Sequence, residues 1–266
     1  MPQGAFQRVL TPILNCSKSS NAAVRSNAID LFEIIIPKHS EKEEDLKSAV
    51  VELLSLPKAG KTAGPDHRVA LYTMLQSLPP SPTTSPEVVS SAPALLIKET
   101  NDAAIAALGS ALSSHLSYQL RGNEVLPAPV TNSIVKELAN AKPSIRRTFY
   151  SAVGGAIWLL DSLETEASAA LIKAIIPVLE TSLKNVSANP IGVAAGPLEG
   201  YVAVALLLGP LKRSGKYGTF SSAWSNRVAD LHSRLGHLWK PYCFVPFGRY
   251  SEAFLPPSRQ GLPKTV

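Results

Sequence analysis

One short helical motif recurs along the chain, and this recurrence restricts the possible folds more than any other feature. Asn21–Phe32 aligns with Lys142–Val153, which places Arg25 on Arg146. Two more segments fit the same pattern, with Arg68 and an isoleucine at the arginine position. The aligned positions 25, 68, 105 and 146 are separated by 43, 37 and 41 residues. A period near 40 residues indicates a chain that is built from stacked copies of one small unit.

Each unit is predicted to be a pair of helices. Apolar residues recur at three- and four-residue spacing on both sides of the turn Ser17–Ser20, and Asn21 is a suitable N-cap for the second helix. The first helices of the later units are predicted at Leu46–Leu56, Pro86–Lys98, Val130–Asn140 and Ala167–Val186. Because one hairpin cannot cover its own apolar face, neighbouring hairpins have to stack. The sequence therefore predicts an all-α fold, an α-solenoid of about five HEAT/armadillo-type helical hairpins over residues 1–216.

Residues 217–266 form a second predicted region, an irregular C-terminal tail that is basic and aromatic and contains prolines that would break a long helix. Residues 212–266 contain nine Lys and Arg against two Asp and Glu, a net charge of +7, whereas residues 1–211 have a net charge of −1. Basic and aromatic side chains together can bind nucleic acid. The alternative, which we favour, is that a shifted reading frame or a mispredicted exon makes this tail non-native. The nearly neutral body does not indicate direct nucleic-acid contact.

The cysteines and the apolar segments predict a cytoplasmic protein without a membrane span. Cys16 and Cys243 lie too far apart to form a disulfide framework, which suits a reducing compartment. Met1–Leu14 lacks the apolar core of a signal peptide. Ile191–Leu211 is strongly apolar, but Glu199 and two internal prolines favour a buried solenoid helix over a transmembrane span.

No motif predicts catalysis, a cofactor or a metal site, and we expect the chain not to be an enzyme. Gly154-Gly155 lies inside a predicted helix, Ser144–Leu160, where it would allow close helix packing. His67 beside Asp66 is interpreted as a solvent-facing cap. A cluster of His232, His237 and Cys243 lacks the paired spacing of zinc ligands.

Four arginines are candidate contacts at the edge of the repeat array: Arg25, Arg68, Arg146 and Arg147. In one interpretation they form a ladder that binds a partner protein or RNA phosphate. In the other, each arginine links its hairpin to a neighbour through backbone carbonyls or an acid such as Asp30. We favour the structural interpretation, because this position is usually structural in HEAT-type repeats.

Three stretches give the chain its resemblance to a known family: Val88–Leu120, Val130–Leu160 and Ile175–Leu207. With them, about residues 5–216 resemble the amino-terminal HEAT region of the general-control translational activators. Members of that family are large cytosolic proteins that activate the kinase of initiation factor two alpha. The Ala-rich, Pro-punctuated sequence is typical of a fungal member, and we expect the chain to be a truncated piece of one.

The resemblance implies a non-catalytic scaffold whose partners are the ribosome and translation regulatory proteins. Such a protein transmits a signal of uncharged transfer RNA to the kinase during amino-acid starvation. The kinase-binding part of the family lies toward its carboxyl end, and we expect it to be absent here. The alternative function is a generic HEAT-repeat adaptor for protein–protein interaction in another pathway.

Overall fold

A computed structural model describes residues 5–158, 160 and 165–184, all within the first of the two units into which the chain divides, residues 1–216. This part of the chain is helical throughout and contains no strand. The all-α prediction is therefore confirmed for the described residues. The predicted tail, the apolar stretch Ile191–Leu211 and the second helix of the fifth hairpin lie outside them.

Nine α-helices make up the described part of the chain. They are α1 (Ala5–Cys16), α2 (Ala22–Ile35), α3 (Glu43–Lys58), α4 (Pro65–Ser77), α5 (Thr84–Lys98), α6 (Asp102–Arg121), α7 (Ala128–Leu138), α8 (Pro143–Trp158) and α9 (Glu166–Lys184). A 3-10 turn, Ile36–His39, follows α2. Every predicted helix in this region is present. Their ends differ from the prediction, since α3 continues through Pro57 and α8 ends at Trp158.

Asparagine side chains fix the start of two of the even-numbered helices. The Asn21 Oδ1 accepts a hydrogen bond of 2.9 Å from the backbone N–H of Ala23. Asn101 does the same for the N–H of Ala104 at 3.0 Å. Such bonds satisfy backbone donors that have no partner inside the first turn. The predicted N-cap at Asn21 is therefore confirmed.

The helices pack in two layers. Odd-numbered helices pack in succession from α1 on α3 to α7 on α9, and even-numbered helices from α2 on α4 to α6 on α8. Within each hairpin the odd helix packs against the even one, as α3 does against α4 and α5 against α6. This pairing is consistent with an α-solenoid. Helix α6 packs against α4, α5 and α8, and most of its side chains are buried.

Two rows of turns follow from this arrangement. The turns that lead from an odd to an even helix lie together, and we call them the odd-to-even edge: residues 17–21, 59–64, 99–101 and 139–142. The turns that lead from an even to an odd helix form the even-to-odd edge: residues 36–42, 78–83 and 122–127. Contacts between neighbouring turns support both rows. Asn123 Oδ1, for example, accepts a hydrogen bond of 3.1 Å from the N–H of Ala167 at the start of α9.

Helices α6 and α8 approach each other through glycines. A Cβ atom on Gly109 would lie 2.6 Å from the Cγ2 of Thr148, and one on Gly155 would lie 2.7 Å from the Oγ of Ser113. Both distances are shorter than van der Waals contact allows. The Gly154-Gly155 pair was predicted to permit close helix packing, and Gly155 does so.

We expect Gly109→Ala to lower the free energy of unfolding by about 1–2 kcal/mol, because the overpacking cost exceeds the gain in helix propensity. Gly122→Ala is the matched control, since a Cβ there would lie at ordinary contact distances of 3.5 Å or more. The control should change stability by no more than about 0.5 kcal/mol. Urea unfolding of both variants measures the difference, and equal stabilities would contradict the close approach of α6 and α8.

Candidate functional site

Arg25 links its own turn to the next hairpin. Its Nη1 donates hydrogen bonds of 2.8 Å to the backbone carbonyls of Ser19 and Ser20 in the turn before α2. Its Nη2 donates to the Oδ2 of Asp66 at 2.7 Å, across to α4. Because the Asp66 side chain is 65% exposed, solvent screens this ion pair.

Arg68 makes a more buried link of the same kind. Its Nε and Nη2 donate to the two carboxylate oxygens of Glu99 at 2.7 and 3.0 Å, and the Glu99 side chain is only 1% exposed. One of these oxygens also accepts from the backbone N–H groups of Thr100 and Asn101. Burial alone would raise the pKa of Glu99, but the bonds from Arg68, Asn101 and Thr100 outweigh burial and hold the pKa below its ordinary value. Glu99 is therefore a carboxylate that joins α4 to the turn before α6.

Arg146 and Arg147 occupy the same place in the fourth hairpin. The Arg146 Nη1 donates to the carbonyl of Asn140 at 2.9 Å, in the turn before α8. Its Nη2 is buried and has no hydrogen-bond partner among the described residues. The Asn140 side chain in turn donates to the buried carboxylate of Glu137. Arg147 is exposed on the following position of α8.

The structure thus places three of the four candidate arginines beside the odd-to-even edge, with bonds to turn carbonyls or to acids of the next hairpin. Those acids are Asp66 and Glu99, whereas Asp30, the acid suggested from the sequence, is exposed on α2. Glu99 was missed because its partner lies 31 residues away along the chain. The one signal in the sequence was the position of Glu99 two residues before the helix-capping Asn101. Within the chain, these three arginines hold the turns and the neighbouring hairpins together.

Two buried histidines lie in the core of the array. His115 Nδ1 is 3.1 Å from the Oγ of Ser85, and both side chains are fully buried. Since burial hides this Ser–His pair from any substrate, it forms part of the core. His67, which was predicted to face solvent, is only 2% exposed, and its Nδ1 accepts from the N–H of Ala63. The interpretation of His67 as a solvent-facing cap is therefore wrong, because α4 packs against α2, α3 and α6 and His67 is among its buried residues.

Burial affects the protonation of both histidines. Burial lowers the pKa of His115 to about 4, although the nearby carbonyl of Leu75 favours the proton. Burial, and then the positive charge of Lys18, lowers the pKa of His67. Each histidine is therefore neutral in the folded chain near neutral pH.

The Arg68–Glu99 pair should contribute far more to stability than the Arg25–Asp66 pair. We expect Arg68→Met to lower the free energy of unfolding by about 3 kcal/mol, because it leaves a buried carboxylate without its partner. Arg25→Met, the control, should cost about 1 kcal/mol or less, since Asp66 is solvated. Urea unfolding checks both values, and the double variant Arg68→Met/Glu99→Gln should recover part of the loss. Equal costs at the two sites would disprove the assigned difference.

Acid should destabilise the fold through His115. Its folded pKa lies below the ordinary value of 6.5, so the unfolded chain binds the extra proton. The contribution of His115 to stability is complete above that ordinary value and is lost as the pH falls toward the folded pKa. Between pH 7 and pH 5 we expect this one histidine to cost about 2 kcal/mol. Urea unfolding across this range should show a shallower pH dependence for His115→Gln, and an unchanged slope would contradict the prediction.

Within the described residues, no three His, Cys, Asp or Glu side chains group in a way that could hold a metal ion. None of the described helices combines the length and apolarity that a membrane crossing requires. Cys16 is exposed as a free thiol, and Cys243 lies outside the described residues.

Comparison with known proteins agrees with the resemblance seen in the sequence. The family model described as General control nonderepressible 1 (Gcn1) N-terminal matches residues 65–231, which is more than half of the chain. The match begins at α4 and includes Arg68, Glu99 and Arg146. No curated protein and no solved structure matches the chain. The chain therefore belongs to the Gcn1 N-terminal family, and it contains a region of the Gcn1-like translational activators.

Proposed function

We propose that this chain is a non-catalytic HEAT-repeat scaffold that associates with ribosomes, as part of a Gcn1-type activator of the initiation factor two alpha kinase. The observation that carries the proposal is the family match over residues 65–231, whose described part falls on stacked helical hairpins. A stack of this kind offers long rows of turns to a partner and does not need a cleft. By resemblance the chain works in the cytoplasm during amino-acid starvation.

The contacts between hairpins suit such a role. A scaffold has to keep its successive turns at fixed positions while a large partner binds. Arg25–Asp66, Arg68–Glu99 and the Asn123–Ala167 bond each join turns of neighbouring hairpins. A buried bidentate pair such as Arg68–Glu99 holds two elements in one orientation, because both of its hydrogen bonds are directional.

The chain on its own is proposed to supply the ribosome contact and not the kinase contact. The kinase-binding part of the family lies toward its carboxyl end, and the residues that resemble the family here correspond to its amino-terminal array. Stimulation of the kinase would then require the rest of a longer protein.

A generic protein-binding adaptor is the second candidate, and one observation favours it. Several large apolar side chains are exposed on the first hairpin, which precedes the matched segment: Val9, Val24, Leu31 and Ile34. Val24, Leu31 and Ile34 recur at helical spacing on α2. Exposed apolar side chains of this kind often mark contacts with other proteins.

Co-sedimentation with purified ribosomes tests the first proposal. We expect the full chain to pellet with ribosomes at low salt and to be released as the salt concentration rises, because the contact is largely ionic. The basic tail could produce the same behaviour, so the control is the full chain with Lys240→Glu, Arg249→Glu and Arg259→Glu. Pelleting should persist in that control. If the unaltered chain stays in the supernatant at low salt, the adaptor function is favoured.

A further inference from the structure

The odd-to-even edge carries a row of exposed cations. Its four turns and the helix ends beside them contain six lysines whose side chains are exposed: Lys18, Lys58, Lys61, Lys98, Lys136 and Lys142. Three of the four turns contain one of them, and Lys98 ends α5 directly before the fourth. The packing of odd on odd and even on even helices brings these turns into one row.

The acids of this edge do little to cancel the lysines. Asp66 is paired with Arg25, and Glu99 is buried against Arg68. Glu137 is also buried, which leaves Asp102 as an exposed carboxylate at the start of α6. The exposed charge of the edge is therefore strongly positive.

The opposite row of turns has the other sign. The even-to-odd edge and the helix starts beside it expose a set of glutamates: Glu41, Glu43, Glu44, Glu87, Glu124 and Glu166. Lys38, Lys42 and Arg121 are exposed among them, so acids still outnumber bases there. The two signs are thus separated across the array, although residues 1–211 together have a net charge of only −1.

Helix electrostatics does not account for every lysine of the edge. Lys58, Lys98 and Lys136 lie in the last turns of α3, α5 and α7, where a cation stabilises the negative end of the helix. Lys18 and Lys61 follow the ends of α1 and α3, and the Lys18 Nζ donates a hydrogen bond of 3.1 Å to the Oδ1 of Asn15. Lys142 directly precedes α8, where a cation is unfavourable. An anion outside the chain would compensate for that cost at Lys142.

We propose that the odd-to-even edge binds the phosphate backbone of double-helical RNA. The proposal rests on the proposed ribosome association, because that association supplies RNA helices as the partner. Lysines spread along a row of turns suit a regular array of phosphates, which they meet as point charges. None of the described aromatic side chains is exposed, so the edge lacks the stacking platforms that bind single-stranded bases and the aromatic anchors typical of protein interfaces. Duplex RNA is bound mainly through its shape and backbone.

Binding of an RNA duplex of about 16 base pairs to the full chain, followed by fluorescence anisotropy across a salt series, tests the proposal. The edge variant is Lys18→Glu/Lys61→Glu/Lys142→Glu. The control is Lys38→Glu/Lys42→Glu/Lys47→Glu, which makes the same charge change at exposed lysines toward the other edge. Thermal unfolding confirms that both variants fold. A second edge variant with Gln at the same three positions removes the charge without reversing it.

The edge variant should bind the duplex at least about tenfold more weakly, whereas the control should change by less than about threefold, because charges beyond a Debye length are screened. In the Gln variant, the slope of log affinity against log salt should fall by about 2 to 3. Equal losses in the edge and control variants would overturn the proposal. So would preferential binding of an aspartate-rich peptide of the same charge, which would indicate an acidic protein partner.

The same samples separate this proposal from the proposed function. If the unaltered chain binds the duplex through the edge lysines but does not pellet with ribosomes, the ribosome scaffold fails and the edge remains an RNA-binding surface. If it pellets with ribosomes equally well in the edge and control variants, and the duplex affinity is also equal, the scaffold remains and the RNA edge fails.

Discussion

The structure depends on one constraint: a single helical hairpin leaves an apolar face that only the next hairpin can cover. Helix α6 shows the effect most clearly, since it is enclosed by α4, α5 and α8 and buries Leu108, Leu112 and Leu116 completely. Covering one face in this way sets the order of the described helices, because odd helices then pack on odd helices and even helices on even ones. The two rows of turns, and whatever charges those turns carry, are a direct consequence of the same packing.

Helix identity could be predicted from the sequence because it depends on local spacing, whereas contacts between hairpins could not. The recurrence of apolar residues every three or four positions gave each helix in the described region, and Asn21 gave a start. The partners of the arginines were not predictable in this way, since Asp66 lies 41 residues from Arg25 and Glu99 lies 31 residues from Arg68. His67 was placed wrongly for the same reason. It follows a proline and an aspartate at a helix start, a polar context that does not reveal that the residue is buried.

Net charge illustrates how a property summed over a sequence can hide a property of the fold. The near-neutral total of residues 1–211 indicated no nucleic-acid contact in the body of the chain. That conclusion assumes that both signs are mixed over the surface. In two layers of antiparallel helices, however, successive turns lie at opposite edges. Residues of odd-to-even turns therefore lie together at one edge, and residues of even-to-odd turns at the other. Lysines before even helices and glutamates before odd helices are then separated, although they alternate along the chain.

Arginines and lysines have different roles at the odd-to-even edge. Arg25 and Arg68 are held by acids and turn carbonyls, so a phosphate could recruit them only by breaking bonds that join the hairpins. A guanidinium suits that internal role, because its planar donors match a carboxylate in two places. An ammonium group on a flexible stem makes weaker directional demands, so the exposed lysines can bind an external partner without breaking bonds between hairpins. The arginines thus hold neighbouring turns at fixed positions. Those positions set the spacing of the lysines, and that spacing determines what the edge can bind.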